Sequence, residues 1–261
     1  MQPWDIQAAL RDARIVASYQ PIVRLSDRAA VGLEALARLR HPIHGLVAAE
    51  RFVPQLERAG LACDLTEHIL GAIMRDLSIV DPAIAALRIG INIPLDLLLL
   101  PRTLERLESA RDAAGMSAGR LVIELTESQP VEDPAALGRT LDRLRAAGYP
   151  VLIDDVGPAL GYLGALLDLP FAGLKLDGEL MRAATHDAGA RDSAARIAAA
   201  ARRRGMVVTA EGVEEQPAWT LARDLGADQA QGFLVAPALA AEDLPAWRAA
   251  WDHPAAGAMT G

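Results

Sequence analysis

The sequence contains very little cysteine and few aromatic residues, and both shortages narrow the folds that it can form. Cys63 is the single cysteine among 261 residues, which excludes an internal disulfide and a thiolate metal cluster. We therefore expect a reducing, cytoplasmic setting. Aromatic residues make up 4% of the chain and hydrophobic residues 52%, so the core must be aliphatic and rich in alanine. Such a core suits helices packed on strands.

The chain also lacks an excess of positive charge and a long hydrophobic run near its start. Its formal net charge of -8 and pI near 5.2 argue against a polynucleotide partner, because binding to a phosphate backbone depends on clustered Lys and Arg. The segment from Met1 to Arg14 carries four charged residues and no long apolar stretch. We expect neither a signal peptide nor a membrane segment there. A small anionic ligand held by metal ions is compatible with this charge.

Short β-rich runs alternate with longer helical runs from Ala17 onward, which is typical of parallel strands joined by helices. The predicted strands lie near residues 17–24, 30–37, 88–93, 120–126, 150–154, 172–176, 206–210 and 227–231. The predicted helices lie near residues 50–78, 97–115, 133–147, 160–168, 190–204, 216–225 and 241–250. Eight strands in a chain of this length predict one closed barrel.

The first two predicted strands are separated by only a few residues around Asp27, too few for a crossover helix. We expect them to form an antiparallel hairpin. The prediction is therefore an α/β fold, a modified (β/α)8 TIM-like barrel with one antiparallel strand. The barrel would occupy residues 1–251, and residues 252–261 would form a frayed tail.

Two adjacent carboxylates, Asp154 and Asp155, close the apolar run Val151-Leu152-Ile153. Neighbouring anions in a poorly hydrated pocket repel each other, so they must be solvated, share a proton or bind a cation. Taken alone, the pair also fits a solvated turn in which an Asp is a helix N-cap. Other residues in the chain favour the cation.

Polar residues stand at or near the ends of the other predicted strands, where an α/β barrel carries its chemistry. They are Glu34, Asn92, Glu124, Lys175, Glu211 and Gln231. Together with the Asp pair they supply five carboxylates, which is the ligand type of hard cations. Oxygen ligands without clustered His or Cys favour Mg²⁺ or Mn²⁺ over Zn²⁺. Two such ions could hold a phosphate, so the pattern suits phosphodiester hydrolysis best.

Several motifs resemble those of the EAL-domain cyclic di-GMP phosphodiesterases, and the resemblance covers nearly the whole chain in order and spacing. The motif that names the family is matched by Glu34-Ala35-Leu36. The other matching segments are Tyr19–Val23, Glu124–Ser128, Lys175–Asp177, Ala210–Glu214 and Gln231–Phe233. The resemblance implies metal-dependent hydrolysis of cyclic di-GMP, a bacterial second messenger, to linear pGpG.

The resemblance also implies a role for each matching residue. One metal ion would be held by Glu34, Asn92, Glu124 and Asp154. Asp154 would bridge to a second ion held also by Asp155, which gives a site for two Mg²⁺ or Mn²⁺ ions. Glu211 would act as general base or orient the water, with Lys175 beside it. The dinucleotide would face Gln20, Arg38 and Gln231, and the loop after the Asp pair would be braced by Glu127 and Glu214.

The segment after Asp155 departs from the family pattern. The family usually has Phe-Gly-Thr-Gly-Tyr-Ser-Ser there, whereas this chain has Val156-Gly157-Pro158-Ala159-Leu160-Gly161-Tyr162. The Thr hydroxyl is missing and Pro158 removes a backbone donor. Two alternatives therefore stand beside an active phosphodiesterase: a cyclic di-GMP receptor that scarcely cleaves, and a protein-interaction module that has lost the nucleotide. Family members often form homodimers and act with sensory domains, and the sequence leaves both open.

Overall fold

A computed structural model describes residues 3–113, 115–126, 131–157 and 163–252. Within these ranges the strands, numbered β1 to β9 in chain order, are Ile15–Arg24, Ala30–His41, Gly45–Ala48, Arg88–Pro94, Leu121–Thr126, Val151–Val156, Gly173–Leu176, Val207–Ala210 and Gln229–Gln231. The helices, numbered α1 to α12, are Pro3–Arg11, Val53–Arg58, Ala62–Leu77, Pro82–Ala85, Leu95–Leu98, Thr103–Ala113, Pro134–Ala146, Leu163–Leu167, Gly178–Ala184, Ala188–Arg202, Gln216–Asp224 and Leu244–Asp252. Short 3₁₀ turns cover Ala49–Arg51, Ala118–Arg120 and Ala241–Asp243.

Eight of these strands close into a barrel. Their order is β1-β9-β8-β7-β6-β5-β4-β2, and β1 pairs with β2 to complete the ring. Strand β1 is antiparallel to both neighbours, whereas β2 and β4 to β9 run parallel to one another. The predicted modified (β/α)8 barrel with one reversed strand is confirmed.

The remaining strand, β3, was not predicted from the sequence, because it is only four residues long. It pairs antiparallel with the last residues of β2, from Arg38 to His41, and lies outside the ring. The pairing accounts for the end of the twelve-residue strand β2, whose last four residues form one arm of a hairpin with β3.

The prediction of one helix over residues 50–78 is wrong. The segment folds as a 3₁₀ turn followed by α2 and α3, and the two helices are separated by Ala59, Gly60 and Leu61. Gly60 has a φ of 71°, which ends α2 in the left-handed region that glycine adopts without strain. After the break, α3 packs along β1. The predicted helix over residues 97–115 is likewise two helices, α5 and α6.

Local capping was predictable. Asp133 accepts a hydrogen bond from the backbone N–H of Ala136 at 2.9 Å, and Pro134 occupies the first helical position of α7. Gly115, Gly148 and Gly205 follow α6, α7 and α10 with positive φ, as expected for residues that end helices.

The core consists of aliphatic side chains from both faces of the strands. Leu121, Val122, Ile123 and Leu125 of β5 are all at most 7% exposed. Burial on both faces is the mark of a parallel sheet that is covered by helices outside and filled by side chains inside. None of the described helices has the length and apolar character needed to cross a membrane.

The last helix, α12, packs on the turn that joins β1 to β2. The Arg28 guanidinium, in the turn between β1 and β2, lies 4.2 Å from the Trp251 ring centre and 5.1 Å from that of Trp219. The Trp251 indole N–H donates to the Arg28 carbonyl at 2.7 Å. These contacts fasten α12 to the hairpin. The predicted frayed tail, apart from Asp252, lies outside the described residues.

Candidate active site

A cavity of about 720 Å³ opens at the carboxyl ends of the parallel strands. Its floor contains predicted site residues from six strands and from the loop after β8: Gln20, Glu34, Asn92, Asp154, Asp155, Lys175, Glu211 and Gln231. Its side is formed by the segment from Ala49 to Ile69, which includes α2 and the start of α3. The barrel thus brings together, at one cavity, residues that are up to 211 positions apart in the chain.

Lys175 stands at the centre of the carboxylates. Its Nζ lies 2.9 Å from Glu34 Oε2, 3.0 Å from Glu124 Oε2, 3.0 Å from Asp154 Oδ1 and 2.6 Å from Glu211 Oε1. The lysine side chain is 1% exposed. One buried ammonium therefore contacts four acids, and when all four are ionised their excess negative charge can be balanced by further cations.

Glu124 reaches this centre because its neighbour on β4 has no side chain. An added Cβ on Gly90 would lie 2.0 Å from Glu124 Oε1 and 2.7 Å from its Cδ. Any larger residue at position 90 would displace the carboxylate, since both atoms are far closer than van der Waals contact allows. Gly90 is a positioning residue that the sequence motifs did not reveal.

Glu34 is fixed by amides on both sides. Asn92 Nδ2 donates to Glu34 Oε1 at 2.8 Å, and Gln231 Nε2 donates to Glu34 Oε2 at 2.6 Å. Gln231 Nε2 also contacts Gln20 Oε1 at 3.0 Å, and Gln20 donates in turn to the carbonyl of Ala236 at 3.1 Å. This chain of hydrogen bonds orients the Glu34 carboxylate toward Lys175.

The adjacent acids Asp154 and Asp155 both face the cavity, although side chains alternate between the two faces of a regular strand. The pairing register between β6 and β7 shifts between Ile153 and Val156, and Asp155 has a φ of 51°. This left-handed conformation is strained for most residues but tolerated by Asp. The irregularity turns the second carboxylate toward the same cavity as the first.

Burial and charge together set the pKa values of the cluster. Burial raises the pKa of Glu211 to about 8 against the lowering effect of Lys175, and burial together with the charge of Asp154 raises the pKa of Asp155 to about 6. Burial also raises the pKa of Glu124 well above its usual range. Glu34 is the exception: burial opposes ionisation, but Lys175 and the hydrogen bonds from Gln231 and Asn92 lower its pKa.

The geometry fits hard cations. Two overlapping groups of acids each bring carboxylate oxygens within 4.8 Å of one another. The first group is Glu34, Glu124 and Asp154, and the second is Asp154, Asp155 and Glu211. Asn92 Oδ1, Asp154 Oδ1 and Gln231 Oε1 are buried without a hydrogen-bond donor among the described residues, although Asp154 Oδ1 lies within ion-pair distance of Lys175. Buried polar oxygens in native proteins are normally satisfied. An oxygen-rich set with unsatisfied atoms is the environment that Mg²⁺ or Mn²⁺ requires.

Two predicted residues, Arg38 and Glu214, are not part of the cavity floor. Arg38 Nη1 donates to the Ala37 carbonyl at 3.0 Å, and Ala37 rather than Arg38 lines the cavity. Glu214 lies at the exposed rim. Glu127 and residues 158–162 of the atypical loop lie outside the described residues. The sequence motifs gave no sign of Glu57 of α2, which lies at the rim. Phe233, at the end of the matching segment Gln231–Phe233, also lies at the rim and is 66% exposed.

A mostly parallel barrel with a buried Lys surrounded by acids at the carboxyl ends of its strands is an α/β barrel whose site can bind divalent cations. The EAL domain family model matches residues 4–238. The chain therefore belongs to the EAL domain family.

Named relatives agree with this assignment. MucR of Pseudomonas aeruginosa, a bifunctional diguanylate cyclase/cyclic di-GMP phosphodiesterase, is 30% identical over 241 residues, which are 92% of this chain and 35% of MucR. NbdA of the same organism, a cyclic di-GMP phosphodiesterase, is 31% identical over 231 residues, which are 88% of this chain and 30% of NbdA. The chain thus spans about a third of the length of these curated relatives.

Solved structures share the fold. The PaMucR phosphodiesterase in complex with c-di-GMP is 30% identical, with a TM-score of 0.86 over 94% of this chain and 100% of that one. The FimX EAL domain of Xanthomonas citri, also in complex with c-diGMP, has a TM-score of 0.77 over 90% of this chain and 91% of that one. Its identity of 19% supports the fold alone.

Proposed function

We propose that this EAL domain hydrolyses cyclic di-GMP to linear pGpG with the help of divalent metal ions. The observation that carries the proposal is the arrangement of Glu34, Glu124, Asp154 and Glu211 around Lys175 on the cavity floor. A purely structural core has no need for four acids at one lysine, since apolar residues of similar volume would be as stable or more so. Membership in the EAL family supplies the substrate class.

In this proposal Glu34, Asn92, Glu124 and Asp154 hold one ion, and Asp154 with Asp155 holds a second. Bound divalent ions would supply Lewis acidity to the phosphodiester and to the attacking water. Their charge also favours an anionic substrate at a site that is otherwise negative. Mg²⁺ and Mn²⁺ suit this oxygen-rich set, and the two differ too little in ligand preference for the donors alone to choose between them.

Glu211 is the proposed general base. It accepts a proton from water as the water oxygen bonds to phosphorus and the bond from phosphorus to the ribose O3′ breaks. The O3′ oxyanion takes a proton from solvent water, and Glu211 returns its proton to solvent. This role is supported by the contact of Glu211 Oε1 with Lys175 Nζ at 2.6 Å, and by carboxylate oxygens of Glu211, Asp154 and Asp155 that lie within 4.8 Å of one another. Gln20 and Gln231 lie at the cavity floor where they can orient the dinucleotide, and Arg38 stays a predicted contact of the dinucleotide.

The test is incubation of the purified chain with cyclic di-GMP and Mg²⁺ or Mn²⁺, with pGpG followed by chromatography and binding measured by titration calorimetry. Loss of a general base should reduce turnover by about 10²–10⁴-fold in Glu211→Gln while binding persists. Glu34→Ala should abolish both metal-dependent binding and turnover. Asp168→Asn, which removes an exposed ion-pair partner of Arg204 outside the cavity, is the matched control and should retain activity.

Two results would redirect the proposal. Tight binding without turnover at millimolar metal would make the domain a cyclic di-GMP receptor, the alternative suggested by the sequence Val156-Gly157-Pro158. No binding at all would leave a protein-interaction module.

A further inference from the structure

The hairpin of β2 and β3 carries two large apolar side chains that are exposed. Ile43, in its turn, is 82% exposed, and Leu46 on β3 is 56% exposed. Ala37 and Ala49, on either side of this segment in the chain, line the cavity, so the hairpin lies beside the cavity mouth. Single exposed apolar residues are common in proteins. The surroundings of Ile43 and Leu46 therefore decide whether their exposure has a use.

The turn that presents Ile43 has a defined conformation. His41 Nδ1 accepts hydrogen bonds from the backbone N–H groups of Ile43 and His44, each at 3.2 Å. The rings of His41 and His44 stack with their centres 4.7 Å apart, and Gly45 ends the turn with a φ of 65°. These contacts order the turn without the Ile43 side chain. Formation of the hairpin thus gives no reason for an apolar residue at its tip.

Cationic side chains stand next to this apolar tip. Arg40 and Leu46 are partners across the hairpin, so their side chains project from the same face, and both are exposed. A hollow of about 480 Å³ beside the tip is lined by Arg14, Arg40, His41, Pro42 and Ile43. Arg14 Nε lies 3.8 Å from Asp12, whereas no acid among the described residues forms an ion pair with Arg40. The hollow is therefore cationic, in a chain with a net charge of -8.

We call the set of Arg14, Arg40, His41, Ile43 and Leu46 the hairpin patch. An exposed apolar tip with cations beside it matches the chemistry of a membrane that contains anionic lipids, where acyl chains lie beneath a layer of phosphates. A protein partner fits less well, since a stable protein interface takes about 20–30 residues from each side. The overall negative charge does not prevent the contact, because salt screens charges farther away than about 8 Å.

We propose that the hairpin patch docks this domain on membrane surfaces that contain anionic phospholipids. Ile43 and Leu46 enter the boundary between headgroups and acyl chains, and Arg14 and Arg40 contact the lipid phosphates. Docking brings the cavity mouth close to the membrane, since the hairpin lies beside it. The inference is independent of the proposed function, because none of the residues in the patch lines the cavity.

The test is co-sedimentation of the purified chain with vesicles at low salt. One set of vesicles is phosphatidylcholine alone, and the other is equal parts of phosphatidylcholine and phosphatidylglycerol. The protein should bind the mixed vesicles and not the neutral ones. Ile43→Asp should weaken this binding by about 10-fold or more, since it removes an apolar side chain from the membrane and adds a negative charge. Arg40→Ala should weaken it by about fivefold.

The matched control is Ile79→Asp, in the turn between α3 and α4. Ile79 is 75% exposed, but the acids Asp76 and Asp81 lie close to it in the chain. This variant receives the same substitution outside the hairpin patch and should bind the mixed vesicles as the parent does. Thermal melting checks that every variant is folded.

Several results would overturn the proposal. They are the absence of binding to mixed vesicles, equal binding to both sets of vesicles, and an Ile43→Asp variant that binds as the parent does. An equal loss in Ile79→Asp would also overturn it, because the hairpin would then have no special role. If inorganic phosphate displaces the protein at constant ionic strength while Ile43→Asp has no effect, the hollow binds free anions and the membrane is not its partner.

Discussion

Replacement of Lys175 by Met is the sharpest test of how the acidic cluster is held together. The substitution keeps most of the apolar stem but removes the ammonium that contacts Glu34, Glu124, Asp154 and Glu211. Breaking a buried ion pair by removing one partner typically destabilises a protein by about 3–5 kcal/mol. We expect a loss of that size in the free energy of unfolding of the metal-free protein at pH 8.

The loss should depend on pH in a defined direction. The folded pKa of Glu211 is raised to about 8, above its unfolded value, so the folded state retains a proton that the unfolded state releases. Stability of the metal-free protein therefore falls as pH rises through this window. Each additional proton retained across two pH units corresponds to about 2.7 kcal/mol. Without the ammonium, more of the buried acids must stay protonated, which is easier at pH 6 than at pH 8. Lys175→Met should therefore lose less free energy of unfolding at pH 6 than at pH 8.

Urea unfolding in EDTA at pH 6 and pH 8, repeated with Mg²⁺, measures these effects. Arg204→Met is the control, since its ion pair with Asp168 is largely exposed and should contribute under about 1 kcal/mol. A loss below about 1 kcal/mol in Lys175→Met, or an equal loss at both pH values, would refute the account of the lysine as the central counter-charge.

Three further changes have defined outcomes. Gly90→Ala should displace Glu124 and weaken Mn²⁺ binding by about 10–100-fold in calorimetry while the protein stays folded. The control Gly164→Ala, where an added Cβ meets nothing within 4 Å, should bind Mn²⁺ as the parent does. Equal Mn²⁺ affinities of the two variants would show that Glu124 does not need a glycine at position 90. Glu211→Gln should flatten the fall in melting temperature of the metal-free protein between pH 6 and pH 8, because the group that retains the extra proton is gone; an unchanged slope would assign that proton to another acid. Trp251→Ala should reduce the free energy of unfolding by about 2 kcal/mol in urea, because it removes the packing on Arg28, and a change within error would mean that α12 is not fastened there.

Local features of the chain were readable because they depend on neighbours in sequence. Alternating apolar runs marked eight strands, and the short connection at Asp27 indicated the antiparallel first pair. Asp133-Pro134 indicated the start of α7. Strand β3 and the break at Gly60 were missed, because four residues give too weak a pattern and a single glycine inside a helical pattern is usually tolerated.

The candidate site was predictable in its members but not in its geometry. The acids, Asn92, Lys175 and Gln231 could be listed from strand ends, since a barrel brings those ends together. The contacts of Lys175 with four of the acids could not be predicted, because they join residues from strands that are far apart in the chain.

The sequence by itself determined the order of the elements, the family motifs and the excess of acids, because periodicity, capping and residue type are properties of the chain. Tertiary structure alone decided which groups touch. It placed Gly90 beneath Glu124 and turned Asp155 toward the same cavity as Asp154 through a left-handed backbone. These relations arise when the barrel closes, since closure fixes the distances between side chains that no local pattern records.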